Sequence, residues 1–67
     1  MKLKDFLGIV PESQKIWLCY EVFIVEAENE AMSAVLCENI YNGVVRAVEA
    51  DGDLLKVWVK EEGTRDH

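Results

Sequence analysis

The segment IYNGVV, residues 40–45, decides between two folds for this chain. Asn-Gly between apolar residues is the strongest short-range signal of a β-hairpin, because a tight primed turn needs positive φ at both central positions. The same pair also ends helices, with Gly in the left-handed position just past the last turn. The first interpretation predicts a meander of strands, and the second predicts a mixed α+β domain.

The residues before this pair favour a helix. Apolar residues recur there at helical spacing: Met32, Val35, Leu36 and Ile40. Glu28 and Glu30 precede them and suit the positive N-terminal end of a helix. A strand would lose its alternation at Glu38 and Asn39. We therefore predict a helix that ends at Gly43.

Residues 16–25 are mostly aromatic and β-branched and lack helical spacing, so they predict one long strand. Alternation along a strand gives it two faces. One face is apolar throughout and is expected to meet the core; it contains Ile16, Leu18, Tyr20, Val22 and Ile24. The other face contains Trp17, Cys19, Glu21, Phe23 and Val25.

The remaining elements complete the predicted fold. An apolar stripe in residues 3–10 predicts a short helix that ends before Pro11. Asp51-Gly52 suits a two-residue type I′ turn between strands at 44–50 and 53–60. The predicted order is helix, strand, helix, strand, strand. This is an α+β domain with a three-stranded antiparallel sheet, its last strand central and both helices on one face.

The domain organisation follows from the length. A chain of 67 residues forms one domain, near the lower limit for a core without disulfides or metal. We expect this domain to comprise residues 1–60. Residues 61–67 are polar and are expected to form a disordered tail.

Composition restricts the partners. Thirteen acidic and seven basic residues give a net charge of −6, which repels phosphates and anionic lipid headgroups. Direct nucleic-acid or membrane binding is therefore not expected. The most apolar run, residues 16–25, is too short to cross a bilayer. Two cysteines are too few for a secreted disulfide scaffold, so a cytoplasmic protein is expected; a disulfide between Cys19 and Cys37 is the alternative.

The residues needed for catalysis are scarce. The one histidine, His67, is the last residue of the sequence. A catalytic triad, a Cys–His pair and a histidine-rich metal site are therefore not expected. The four glycines are isolated from one another, which excludes a phosphate loop, and no carboxylate spacing matches a calcium loop. The sequence predicts a protein that is not an enzyme and that holds no cofactor or metal.

Aromatic residues on the strands suggest an interaction surface. If the helices cover one face of the sheet, the opposite face presents an apolar patch: Trp17, Phe23, Val25 and Trp58. A monomer rarely leaves such a patch in water, and tryptophan is favoured at the centre of interfaces. This predicts association with itself, as a homodimer, or with a partner. The alternative is that both tryptophans belong to the core.

Two stretches carry a resemblance to a known group of proteins. They are KLKDFLGIVPESQKIWL, residues 2–18, and VVRAVEADGDLLKVWV, residues 44–59. In layout the chain resembles the short acidic proteins encoded by phages and prophages of Gram-positive bacteria. Some small acidic phage proteins block host defence nucleases by occupying basic nucleic-acid channels. The resemblance therefore implies an inhibitor of a host nucleic-acid-binding protein.

Two functional hypotheses follow. In the first, the protein is an acidic binding module that docks on a basic partner through its carboxylates: Glu26, Glu28, Glu30, Asp51 and Asp53. Solubility is the alternative explanation for each of these residues taken singly. In the second, the protein is a self-assembling structural or accessory protein that dimerises through the apolar sheet face.

Overall fold

The computed structural model describes residues 1–61. They form three short helices and four strands: α1 (Leu3–Gly8), β1 (Lys15–Tyr20), β2 (Phe23–Glu28), α2 (Asn29–Val35), α3 (Glu38–Tyr41), β3 (Val44–Asp51) and β4 (Leu54–Lys60). The prediction of an α+β fold is confirmed. All but the first residue of the predicted tail at 61–67 lies outside the described residues.

The sheet is mixed, with the strand order β2-β1-β4-β3. β1–β2 and β3–β4 are antiparallel hairpins, and the two central strands, β1 and β4, run parallel. The prediction of a three-stranded antiparallel sheet is therefore wrong in strand number and in strand direction. The helical connection from β2 to β3 makes the parallel arrangement possible, because parallel strands need a long crossover. β4 does lie in the interior of the sheet, as expected.

A tight turn divides the segment that was predicted to be one long strand. Tyr20 pairs with Phe23, which leaves Glu21 and Val22 as a two-residue loop. Glu21 has φ 54°, and the Sγ of Cys19 donates to its carbonyl oxygen at 3.3 Å. Positive φ at the first central position alone is the pattern of a type II′ turn, where Gly is the usual residue. Because Glu stands there instead, the sequence carried no turn signal.

The helical interpretation of residues 40–45 is confirmed in part. Asn42-Gly43 follows α3, but the predicted single helix is broken at Leu36, whose backbone is extended. Gly43 does not have the expected positive φ. A Cβ at Gly43 would lie 2.6 Å from Cγ1 of Val59 and 2.8 Å from the carbonyl oxygen of Lys60. Gly is required there because the chain passes so close to β4.

The turn between β3 and β4 is displaced by one residue from its predicted position. Asp51 pairs with Leu54, so Gly52 and Asp53 are the two central residues. Gly52 has φ 64°, and Asp53 has no positive φ. This is again the pattern of a type II′ turn, whereas the sequence suggested type I′.

All three helices pack against the same face of the sheet, as predicted for two. They share one hydrophobic cluster with β1 and β4, which contains Leu3, Leu7, Ile16, Leu18, Met32, Ile40, Val57 and Val59. Alternation along the two central strands accounts for every sheet residue in this cluster. No helix within residues 1–61 is long and apolar enough to cross a membrane.

The side chain of Asn29 joins two helices. Its Nδ2 donates to the carbonyl oxygens of Leu7 and Val10, each at 2.9 Å, at the end of α1. These carbonyl groups lie where a helix leaves acceptors without intrahelical partners. The backbone N–H of Asn29 donates to Gln14 at 2.8 Å. Asn29 therefore connects the end of α1 and the following loop to the start of α2.

Candidate protein interaction surface

The face of the sheet opposite the helices is termed the outer face. On its two central strands, Trp17 lies beside Lys56 and Cys19 lies beside Trp58. The described residues of the core cluster, and those packed against it, include none of these four. The alternative that both tryptophans belong to the core is therefore wrong.

The strand registers arrange the outer face in rows across all four strands. The mixed row contains Glu26, Trp17, Lys56 and Glu49. The apolar row next to it contains Ile24, Cys19, Trp58 and Ala47. Ile24 is 54% exposed, and both tryptophans are half-buried. A continuous apolar strip therefore crosses the sheet beside a charged one.

The two tryptophans contact each other across β1 and β4. Their ring centroids are 5.6 Å apart with an angle of 63° between the planes, an edge-to-face arrangement. The Nζ of Lys56 lies 5.7 Å from the Trp17 ring centroid, within the range of a cation–π contact. Lys56 also forms an ion pair with Asp51 at 3.5 Å. These contacts restrict both rings, which lowers the conformational entropy lost if a partner covers them.

The assignment of Phe23 and Val25 to this face is wrong. The hairpin pairs Phe23 with Tyr20 and Val25 with Leu18, so both side chains lie on the helix-covered side. Ile24 lies on the outer face instead. The prediction missed it because alternation was continued through the turn. Tyr-Glu-Val-Phe contains no Gly, Asn or Pro that would have revealed the hairpin.

Four of the five acidic residues predicted to bind a partner lie at the same end of the sheet, spread across its width. Glu28 and Asp51 lie at opposite edges of a third row, which contains Glu28, Lys15, Leu54 and Asp51. Asp53 is in the turn beyond this row, and Glu30 is in the first turn of α2. Glu26 is in the neighbouring mixed row. All five carboxylates are on exposed residues.

Gln14 holds this end of the molecule together. Its side-chain Nε2 donates to the backbone carbonyl oxygen of Asp53 at 2.7 Å. Its backbone carbonyl oxygen accepts from the backbone N–H of Asn29 at 2.8 Å. Gln14 thereby connects the β3–β4 turn to the start of α2. We term this region, with Glu28, Glu30, Asp51 and Asp53, the acidic end. An open depression of about 490 Å³ lies there, lined by Pro11, Ser13, Gln14, Lys15, Gly52 and Asp53.

The described residues show no metal centre. No group of three or more His, Cys, Asp or Glu side chains in residues 1–61 is placed to hold an ion. His67 lies outside the described residues. Cys37 is exposed and Cys19 is half-buried, and both are free thiols, so the alternative of a disulfide between them is wrong. Burial, followed by the carboxylates of Glu61 and Glu21, raises the pKa of Tyr20, so its phenol is neutral near pH 7.

Comparison of the chain with protein-family models, curated proteins and solved structures gives no match. The resemblance to small acidic phage proteins stays a prediction. The functional argument therefore rests on the geometry and charge of the outer face and the acidic end.

Proposed function

We propose that this protein is a non-catalytic protein–protein interaction module that binds through the outer face. The proposal rests on the apolar row, in which Trp58 contacts Trp17 of the neighbouring mixed row. No helix of residues 1–61 covers these side chains. Exposed apolar patches bounded by polar residues mark interaction sites. Burying each aromatic side chain contributes about 1.5–3 kcal/mol.

The charge distribution points to a basic partner. The acidic end adjoins the outer face, and Lys15 and Lys56 are the basic residues of its two charged rows. Opposite charge on a partner speeds encounter and fixes orientation. A host nucleic-acid-binding protein offers such a surface, since its phosphate-binding channel is cationic. Occupation of that channel would make the protein an inhibitor, as the resemblance to phage proteins implies.

The cytoplasm is the compartment that suits this function. Both cysteines are free thiols, and Cys37 is exposed. Exposed thiols persist where glutathione and thioredoxin keep them reduced. Host nucleic-acid-binding proteins are present in the same compartment.

Self-association through the outer face is the second candidate function. The apolar row extends from Ile24 on β2 to Ala47 on β3. The apolar rows of two copies can therefore pack against each other. A net charge of −6 on each copy opposes this dimer. Added salt would therefore strengthen a homodimer, whereas it would weaken binding to a basic partner.

The replacement Trp58→Ser tests the proposal. We expect affinity for a partner isolated by capture on the wild-type protein to fall about tenfold or more, because a central aromatic contact is lost. Ile9→Ser is the matched control, since Ile9 is 72% exposed at the end of α1, away from the outer face. Light scattering at low and high salt separates partner binding from a homodimer. Equal affinities for the wild type and both variants would contradict the proposal.

A further inference from the structure

The two edges of the sheet differ. β3 is one edge strand, and its first part is covered by the N-terminus: Lys2 bridges to Val44, and the N–H of Val45 donates to the carbonyl of Met1 at 2.9 Å. A bulge at Arg46 then interrupts the register. Coverage and bulges are two of the means by which proteins keep sheet edges from pairing with other chains, and charged side chains on the edge are another.

The other edge strand, β2, has neither coverage nor a bulge within the described residues. It pairs with β1 through six consecutive residue pairs without a register shift. Its outer side has no strand neighbour in residues 1–61. An edge strand that is regular and partly apolar is a template for another strand.

The hydrogen-bond pattern shows which backbone groups of β2 are available. In an antiparallel pair, hydrogen-bonded and non-hydrogen-bonded residue pairs alternate. The Tyr20–Phe23 pair closes the two-residue turn and is of the hydrogen-bonded kind. At the other end of the hairpin the N–H of Asn29 donates to the carbonyl oxygen of Gln14, which agrees with the same alternation. Phe23, Val25 and Ala27 therefore bond to β1. Ile24 and Glu26 therefore direct both their N–H and their C=O away from the sheet. Glu28 directs only its N–H there, because it is the N-cap residue of α2 and its carbonyl accepts the first hydrogen bond of that helix.

The side chains of these three residues indicate which kind of strand can pair with the free edge of β2. All three are exposed, and β2 contains no Lys or Arg. A second copy of β2 would bring Glu26 and Glu28 against the same two carboxylates, and like charges on paired strands are destabilising. A strand with Lys or Arg at alternate positions would instead form opposite-charge cross-strand pairs.

We infer that the free edge of β2 binds an extended basic segment of a protein partner by β-strand addition. Ile24 and Glu26 supply the backbone donors and acceptors, and Glu28 supplies its N–H. Glu26 and Glu28 pair with Lys or Arg side chains of that segment, and Ile24 contacts an apolar one. The inference rests on the proposed function, because it names the chemistry of the partner and how it docks beside the outer face.

A synthetic peptide tests the inference without an identified partner. The probe is an acetylated and amidated hexapeptide that alternates Lys and Val, and its controls are the matching Glu–Val peptide and the Lys–Val peptide with alternate N-methyl groups. We expect the Lys–Val peptide to slow amide hydrogen exchange at Ile24 and Glu26. Neither control should do so, since one has the wrong charge and the other lacks donors. Equal protection by the Glu–Val peptide would overturn the inference.

Two variants locate the binding. Ile24→Pro removes an outward donor without removing a bond to β1, and we expect affinity for the Lys–Val peptide to fall about tenfold, with Ile24→Val as its control. Glu26→Lys combined with Glu28→Lys keeps the backbone intact and should reverse the preference toward the Glu–Val peptide. Unchanged peptide preference in this double variant would count against the inference.

The outcomes separate this inference from the proposed function. If Trp58→Ser loses partner binding while Ile24→Pro keeps it, the outer face is the interaction surface and the edge inference is wrong. If protection at Ile24 and Glu26 increases with protein concentration alone, a second copy occupies the edge, and this also overturns the inference. Loss of partner binding in Ile24→Pro but not in Ile24→Val supports it.

Discussion

Gly43 connects α3 to β3 at a point where its backbone passes close to Val59 and Lys60 of β4. A Cβ added to Gly43 would lie too close to Cγ1 of Val59 and to the carbonyl oxygen of Lys60. Gly43 is itself buried, and Val59 belongs to the core cluster. Any larger residue must therefore displace β4 or the end of α3.

Gly43→Ala tests this packing. We expect the free energy of unfolding to fall by about 1–3 kcal/mol in urea denaturation, because the added methyl group overpacks a tight site. Gly8→Ala is the matched control, since a Cβ at Gly8 has no atom within 4 Å and the residue is helical. The control should be neutral or slightly stabilising. A Gly43→Ala variant as stable as its control would show that the close approach to β4 relaxes freely.

The limits of sequence reasoning are also visible at single residues. The prediction that Asn42-Gly43 follows a helix is correct, but it assumed a positive φ at Gly43, and Gly43 does not have one. At Glu21 the chain has a positive φ that no sequence signal predicted. A residue with no turn preference adopts φ 54°, because pairing of the two strands fixes the loop at two residues. Tertiary pairing decided this conformation, so a local pattern could not reveal it.

At the scale of elements, short helices depend on contacts outside themselves. α1 has six residues and α2 has seven, too few for stability in isolation. Side-chain caps are absent at the N-termini of α1, α2 and α3 in the described chain. The side chain of Asn29 instead donates to carbonyl groups at the opposite, C-terminal end of α1.

Asn29→Asp tests the link between α1 and α2. We expect a loss of about 1–3 kcal/mol in the free energy of unfolding, because a carboxylate has no donor for the carbonyl groups of Leu7 and Val10. Asn39→Asp is the control for the change in charge, since Asn39 is exposed on α3. Thermal and urea unfolding of both variants measure the difference. Equal losses in the two variants would mean that the Asn29 hydrogen bonds contribute nothing beyond charge.

Element order was predictable where the periodicity was strong. The stripe of α1 predicted that helix, and the alternation of β1 and of β4 placed Trp17 and Trp58 correctly on the outer face. The hidden hairpin inverted the alternation after Tyr20, so Phe23 and Val25 were assigned to the wrong side. A shift of one residue moves every side chain of a strand to the other face. The same hairpin added the fourth strand.

At the scale of the whole molecule, one face is buried under helices and the other is not. Four of the five carboxylates predicted to bind a partner lie at the acidic end, and only the strand register and the Gln14 hydrogen bonds bring β2, α2 and the β3–β4 turn to the same end of the molecule. No local pattern contains that information. The acidic end and the apolar row, which are separated by the mixed row, are the two features from which the function is proposed.

If the outer face is the interaction surface, the indole N–H signals of Trp17 and Trp58 report directly on its occupation. They are the two indole groups of the protein, so each is observed individually by NMR. On titration with a captured partner, or with increasing protein concentration if the protein self-associates, we expect both signals to shift and their exchange with water to slow. The amide of Tyr41, on the helix-covered side, should not change. Binding that perturbs the Tyr41 amide and leaves both indole signals unaltered would contradict the account.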